Sequence, residues 1–156
     1  MEDPFGHATL GVGVFYRDPI KALDWLEGAF GFKRSMLVTD AEGSLVHSEM
    51  RYADAYLIID SEWNPDVSSP TNVGGKNTQM VYIRLAGEDL DWHCERARAF
   101  GAKIVQEPKD QFYGERTYRA RDLEGHTWTF ITTVAHVSAE DAMKSSGLLI
   151  DGWHQK

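Results

Sequence analysis

The sequence predicts an α+β domain built from two tandem βαβββ modules, and three observations carry that prediction. First, the chain repeats itself. Leu23-Asp24-Trp25 returns as Leu90-Asp91-Trp92, and Ala29-Phe30-Gly31 as Ala99-Phe100-Gly101, each followed two residues later by a lysine, Lys33 and Lys103. Second, both copies show the same succession of periodicities: an alternating run, a helical run, then three further strand-like runs. Third, a length of 156 residues fits one domain, or two small halves that share a core. The two tripeptides lie nine positions apart in the second copy against six in the first, which predicts almost an extra helical turn there.

The first module spans about residues 8–60. Leu10, Val12, Val14 and Tyr16 alternate with Gly11, Gly13 and Phe15, a strand pattern. Asp18 followed by Pro19 is an N-cap with proline at the first helical position. Ala22, Leu23, Leu26 and Phe30 recur at helical spacing up to Gly31, so a helix is expected over 19–30. Strands follow near 33–40, 44–52 and 55–60, with turns at 40–43 and 53–54. The connection 61–78 is rich in Ser, Pro, Asn and Gly, and a loop of that length is usually functional or mobile. Its Trp63 is read as a packing anchor or as a lid over a ligand.

The second module spans about 79–134. Val81, Ile83 and Leu85 alternate against Tyr82 and Arg84; a helix is expected over 88–100, then strands near 103–107, 115–121 and 126–133. Asp122-Leu123-Glu124-Gly125 is the turn before the last strand. The tail 135–156 opens with a helix start at Ser138 and a stop at Gly147. Leu148, Leu149, Ile150 and Trp153 are apolar enough to require docking on this chain or on a partner.

Composition excludes several function classes. A formal net charge of −8 is the wrong sign for a nucleic-acid partner, which needs a basic surface. No apolar run reaches the roughly 20 residues of a membrane span, and the acidic start Met1-Glu2-Asp3-Pro4 does not read as a signal peptide. A cytoplasmic protein is expected. The single Cys94 allows no internal disulfide; on a helix face it reads as a buried small hydrophobe rather than a nucleophile.

Tyr113-Gly114-Glu115-Arg116 followed by Arg121-Asp122-Leu123-Glu124-Gly125-His126-Thr127-Trp128 resembles the final hairpin of the vicinal-oxygen-chelate superfamily, with Leu123 where proline is usual. That superfamily includes glyoxalase I, bleomycin-resistance proteins, extradiol dioxygenases and fosfomycin-resistance enzymes. Tyr16-Arg17-Asp18, Ala29-Phe30-Gly31-Phe32 and Val46-His47-Ser48-Glu49 resemble its first module, and the likeness spans roughly 8–134. The resemblance implies a curved, incompletely closed mixed β cup with the helices outside, and leaves function open among isomerases, dioxygenases, transferases and binding proteins.

Strand alternation then assigns faces. Val12, Val14, Val81, Ile83, Leu85, Tyr118, Ala120, Trp128 and Phe130 are expected under the helices. Gly11, Gly13, Phe15, His47, Glu49, Leu57, Ile59, Met80, Tyr82, Arg84, Thr117, Arg119, Thr127 and Thr129 are expected to line the cup. The resemblance implies metal ligands on the first, fourth, fifth and eighth strands. Gly11, Ile59, Met80 and Thr129 fall there, with Asp60 and Gln79 one residue away, so no metal cofactor is expected. His126, in the turn, reads as a hairpin residue.

The cup still gathers chemistry. His47 and Glu49, two apart on one strand, are either a satisfied pair or an acid–base pair for catalysis. Arg84 and Arg119 either pair with Glu49 or receive an anionic ligand. Phe15 and Tyr82 supply an aromatic wall. Tyr113 and Arg116 are rim contacts or hairpin chemistry. The expected ligand-binding set is therefore Phe15, His47, Glu49, Trp63, Met80, Tyr82, Arg84, Tyr113, Arg116, Arg119 and Thr129. The expected partner is a small molecule, anionic or aromatic, held by a homodimer. The competing classes are a small-molecule-binding protein, a metal-dependent lyase, isomerase or dioxygenase, and a metal-free enzyme using His47 and Glu49.

Overall fold

Strand β1 (Gly11–Tyr16) runs into helix α1 (Pro19–Phe30) as its residues dictate: the Asp18 carboxylate accepts from the Lys21 amide at 3.1 Å, and Pro19 gives up a backbone N–H the helix could not have used. The computed structural model describes residues 1–153. Strands β2 (Lys33–Thr39), β3 (Leu45–Tyr52) and β4 (Ala55–Ser61) complete the first module. The second module repeats the order: β5 (Val81–Arg84), α2 (Leu90–Ala99), β6 (Lys103–Asp110), β7 (Glu115–Arg121) and β8 (Thr127–Thr133). Each module is a four-stranded mixed sheet, ordered β1-β4-β3-β2 and β5-β8-β7-β6, with the first strand parallel to the last.

The repeat is real, but its spacing does not lengthen the second helix. Leu23 is the fifth residue of α1, whereas Leu90 is the first residue of α2, capped by Asp89, whose carboxylate accepts from the Trp92 amide. Counted from the tripeptide, α2 starts four residues later and ends only two residues later, so α2 has 10 residues and α1 has 12.

The two sheets share one core. Phe30, from α1, packs its ring on Phe32, Trp128 and Phe130, so the first helix is seated on strands of both modules. Tyr16, Leu23, Leu26, Tyr118 and Trp128 are fully buried beside it. Replacing Phe30 by Ala is expected to cost about 3–5 kcal/mol, the range for a buried aromatic.

Polar ties cross the same junction. The Asp122 carboxylate, in the β7–β8 turn, accepts from Tyr16 Oη at 2.6 Å, Trp128 Nε1 at 2.9 Å, and the Glu124 and His126 amides at 3.0 Å each. Glu124 accepts from the Arg17 and Asp18 amides, and His126 Nε2 donates to the Phe15 carbonyl at 2.7 Å. His126 is thus a hairpin residue that also fastens the first module.

The connection 61–78 is pinned rather than loose. Glu62 accepts from the Ser69 amide and the Asn72 side chain, a 3-10 turn spans Pro70–Val73, and Asn77 bridges the Gly125 carbonyl and the Thr127 amide. Trp63 is 64% exposed, so it anchors no packing. The tail forms α3 (Ala139–Ser146), capped by Ser138. Trp153 docks on its own chain by donating to the Val137 carbonyl, while Leu149 is 98% exposed. Among the described residues no helix is long and apolar enough to cross a membrane.

Candidate functional site

Register, rather than alternation alone, decides what faces the cup. β1 pairs with β4 so that Val12 lies beside Leu57 and Val14 beside Ile59. Leu57 and Ile59 are therefore core residues, fully buried under α1, which corrects their expected place in the cup. The concave positions of β4 are Tyr56, Ile58 and Asp60 instead. The helix-side assignments hold. Val14, Ile83, Leu85, Tyr118, Ala120, Trp128 and Phe130 are buried on the helix side, with Val12 and Val81 packed against that core.

On the first sheet the concave face is polar. Glu49 accepts from His47 Nε2 at 3.1 Å and, on its other oxygen, from His7 Nε2 at 2.9 Å, with the Arg51 guanidinium 3.9 Å away. Burial pushes the Glu49 carboxyl up, but hydrogen bonds from His7 and His47 more than offset this and hold it below the usual carboxylate range. Gly11 is required here by close approach. The Tyr56 ring lies across it, and a Cβ would fall 2.3 Å from that ring. The ring in turn floors His7, with centroids 4.5 Å apart.

The second sheet carries the guanidinium groups, and they divide sharply. Arg84 pairs with Glu115 and donates to Thr133 Oγ1, not to Glu49. Arg116 lies on the helix-side parity of β7, where it bridges Asp91 of α2 and Asp110 of β6; it is a brace rather than a rim contact. Arg119 makes one side-chain bond, from Nε to Thr129 Oγ1 at 3.0 Å. Among the described residues neither Arg119 nor its neighbour on the same face, Arg121, has a carboxylate partner. Both line one open groove of about 710 Å³, with Gln79, Met80, Val105 and Thr127.

Met80 and Gln79 also border a second groove of about 390 Å³ between the edges of β1 and β5, walled by Leu10, Val12, Tyr56 and Tyr82. Tyr82, 57% exposed, thus stands beside an apolar shelf that leads to the arginines. Burial first, then the nearby Glu115 carboxylate, raises the Tyr113 hydroxyl pKa, with the Arg119 guanidinium acting the other way. Phe15 faces a separate cavity of about 360 Å³ under the linker, with Val67, Lys76 and His126. Trp63 lines none of these cavities.

The expected set therefore separates into three places. His47 and Glu49 sit on one sheet; Met80, Tyr82, Tyr113, Arg119 and Thr129 gather on the other; Phe15 lies under the linker. Sequence reasoning missed His7 and Arg51, whose roles depend on contacts across the chain. It also missed Arg121, although its spacing of two from Arg119 was a legible signal.

The metal implied by the resemblance meets an unsuitable donor set. The concave positions of the four relevant strands hold Gly11 and Gly13, then Tyr56, Ile58 and Asp60, then Tyr82, then Thr129. Asp60 alone among these has a carboxylate, and it accepts from the Ser61 amide. Among the described residues no three His, Cys, Asp or Glu side chains group so as to hold a metal ion. Cys94 is buried, and burial pushes its thiol up to about 11, unsuited to nucleophilic attack.

Comparison with known proteins agrees with this architecture. The family model described as Glyoxalase/Bleomycin resistance protein/Dioxygenase superfamily matches residues 3–130. An uncharacterized protein of Mycobacterium bovis is 28% identical over 138 residues, covering 83% of this chain and 88% of that protein. TioX from Micromonospora sp. ML1 is 29% identical with a TM-score of 0.62, covering 81% of this chain and 100% of that one. The fosfomycin resistance protein FosX from Mesorhizobium loti, 14% identical with a TM-score of 0.57 over 81% of this chain and 92% of that one, shares the fold. With the repeat, the paired βαβββ sheets and the matched family model in agreement, the chain belongs to the glyoxalase/bleomycin resistance protein/dioxygenase superfamily.

Proposed function

We propose that this protein is a cytoplasmic small-molecule-binding member of its superfamily that works without a resident metal, as a homodimer. Its ligand is a compact organic anion with a flat apolar part. The observation that carries the reading is the pair Arg119 and Arg121, two guanidinium groups without carboxylate partners on one wall of one groove. Among the described residues Arg34, Arg84, Arg96, Arg98 and Arg116 each pair with a carboxylate, and Arg17, which does not, lies outside this groove. A carboxylate or phosphate would satisfy them bidentately. The adjoining shelf of Met80, Tyr82 and Tyr56 offers apolar and aromatic surface for the remainder of the ligand.

The homodimer is supported by apolar surface left uncovered. Leu10, Met80, Tyr82, Val105 and Phe112 are exposed on or near the concave side, as are Leu148 and Leu149 on the tail. Two-fold pairing is the commonest way to bury such surface. The buried, unpaired Cys94 suits a reducing compartment.

Calorimetric titration with 1-naphthoate and its neutral analogue 1-naphthamide tests the binding reading. The acid is expected to bind at least about tenfold more tightly, roughly 1.4 kcal/mol, with the preference shrinking as salt rises. Arg119→Met combined with Arg121→Met should abolish the preference without lowering thermal stability. Equal binding of acid and amide, or a preference that survives both substitutions, would refute it.

A further inference from the structure

We propose that residues Asp3–His7 form a pH-operated strap across the concave face of the first sheet, closed while the His7 imidazole carries two ring protons and released when it loses one. The strap lies on the opposite module from the arginine groove, and the inference does not depend on what that groove binds.

The two ring nitrogens of His7 face two different carboxylates. Nδ1 is 2.9 Å from Asp3 Oδ2, and Nε2 is 2.9 Å from Glu49 Oε2. An ionised carboxylate oxygen only accepts, so each contact needs an N–H. The imidazolium supplies both; the neutral ring supplies one and turns a lone pair on an anionic oxygen at the other. Asp3 and Glu49 are both held below the usual carboxylate range. For Asp3 the cause is chiefly the hydrogen bonds from the His7 and Phe5 amides; for Glu49 it is the bonds from His7 and His47, acting against burial. Both flanking carboxylates therefore stay ionised, and the variable partner in the trio is the imidazole.

His7 meets groups from β3, from β4 and from the strap itself. From β3 come Glu49, His47 on the far oxygen of the same carboxylate, and Arg51, which donates to the Phe5 carbonyl at 3.1 Å and the Gly6 carbonyl at 3.4 Å. From β4 comes the Tyr56 ring, and from the strap itself Asp3 and the Phe5 ring. The Asp3 carboxylate also accepts from the Phe5 and His7 amides at 3.0 and 2.6 Å, folding the strap into a tight loop. Arg51 keeps its charge across this range and acts as a hinge, so loss of the His7 proton loosens the strap without expelling it. Release frees Glu49 Oε2 and uncovers a carboxylate that is 6% exposed in the closed form, with His47 still bonded to its other oxygen.

Hydrogen exchange of the full chain, read by mass spectrometry at pH 5.5 and 8.0 and corrected for intrinsic rates, tests this directly. The amides of Phe5, Gly6 and His7 should be at least about tenfold more protected at the lower pH. His7→Phe keeps a ring on Tyr56 but has no N–H, and should leave the strap unprotected at both values while the β3 and β4 amides exchange as before. Asp3→Asn, which leaves the sheet untouched, should likewise lose the pH dependence. At a fixed pH of 6.5, carbethoxylation of His47 should be about fivefold faster in His7→Phe, a readout of uncovering. Equal protection at both pH values, a His7→Phe strap as protected as the parent, pH dependence retained in Asp3→Asn, or an unchanged His47 rate would each overturn the proposal.

Discussion

Two histidines, His93 and His7, show how burial and partners set opposite roles for one side chain. His93 lies fully buried between the modules, its Nε2 donating to the Phe30 carbonyl at 3.1 Å and its Nδ1 accepting from the Tyr118 hydroxyl at 2.6 Å. That pattern needs a neutral ring, and burial lowers its pKa to about 4. The unfolded chain, with an imidazole near its ordinary pKa, binds the extra proton first, so stability is lost as pH falls from about 6.5 towards 4. Urea denaturation at pH 7 and pH 5 should differ by about 2 kcal/mol in favour of pH 7, and His93→Gln should flatten that difference. A parent protein equally stable at both would show that His93 is not buried in neutral form. Nothing in the sequence around Trp92-His93-Cys94 distinguishes this histidine from a surface one, because its partners are 63 and 25 residues away.

At the scale of elements, legibility depended on how strictly residues alternate. β1 and β8 alternate cleanly, and their faces were readable. β4 contains Tyr56-Leu57-Ile58-Ile59, apolar at both parities, so alternation could not choose a face. The parallel register with β1 chose it, since Leu57 and Ile59 must share a side with Val12 and Val14. The β6–β7 turn was readable from its glycine. Gly114 has φ +89°, and a Cβ there would meet the Ala135 carbonyl oxygen at 2.2 Å. The Gly114 carbonyl also accepts from the Val134 and Ala135 amides, so this turn anchors the start of the tail. Gly114→Ala should therefore cost at least about 2 kcal/mol, seen as a lower urea midpoint at unchanged slope. A shift below a few tenths of that would mean the tail simply moves aside.

For the whole molecule, the decisive residue is Asp122, read from the sequence only as part of a turn. Its carboxylate is buried and joins Tyr16 of the first module to Trp128 of the second. Asp122→Asn presents an amide NH₂ to at least one of these donors and should destabilise the fold by about 1–3 kcal/mol. Both halves should lose hydrogen-exchange protection together; loss in one module alone would show that the junction is not a shared structural unit. Light scattering at micromolar concentration is expected to return twice the chain mass of 17.6 kDa, and a monomer would remove the homodimer from the functional proposal.

By itself the sequence determined the two-module plan, the caps of the first helix and of the tail helix, the strand order along the chain and most of the core; the Asp89 cap of α2 was seen only in the structure. These depend on local periodicity and on residues a few positions apart, and the repeat states them twice. The tertiary structure alone decided which charges meet. It separated Arg84 from Glu49, paired Arg116 with α2, left Arg119 and Arg121 together without carboxylate partners, and set His7 against Glu49, 42 residues away. Hydrophobic patterning specifies a face, and a face admits many pairings of long polar side chains. Which pairing forms depends on register, on sheet curvature and on the placement of segments that carry no periodic signal.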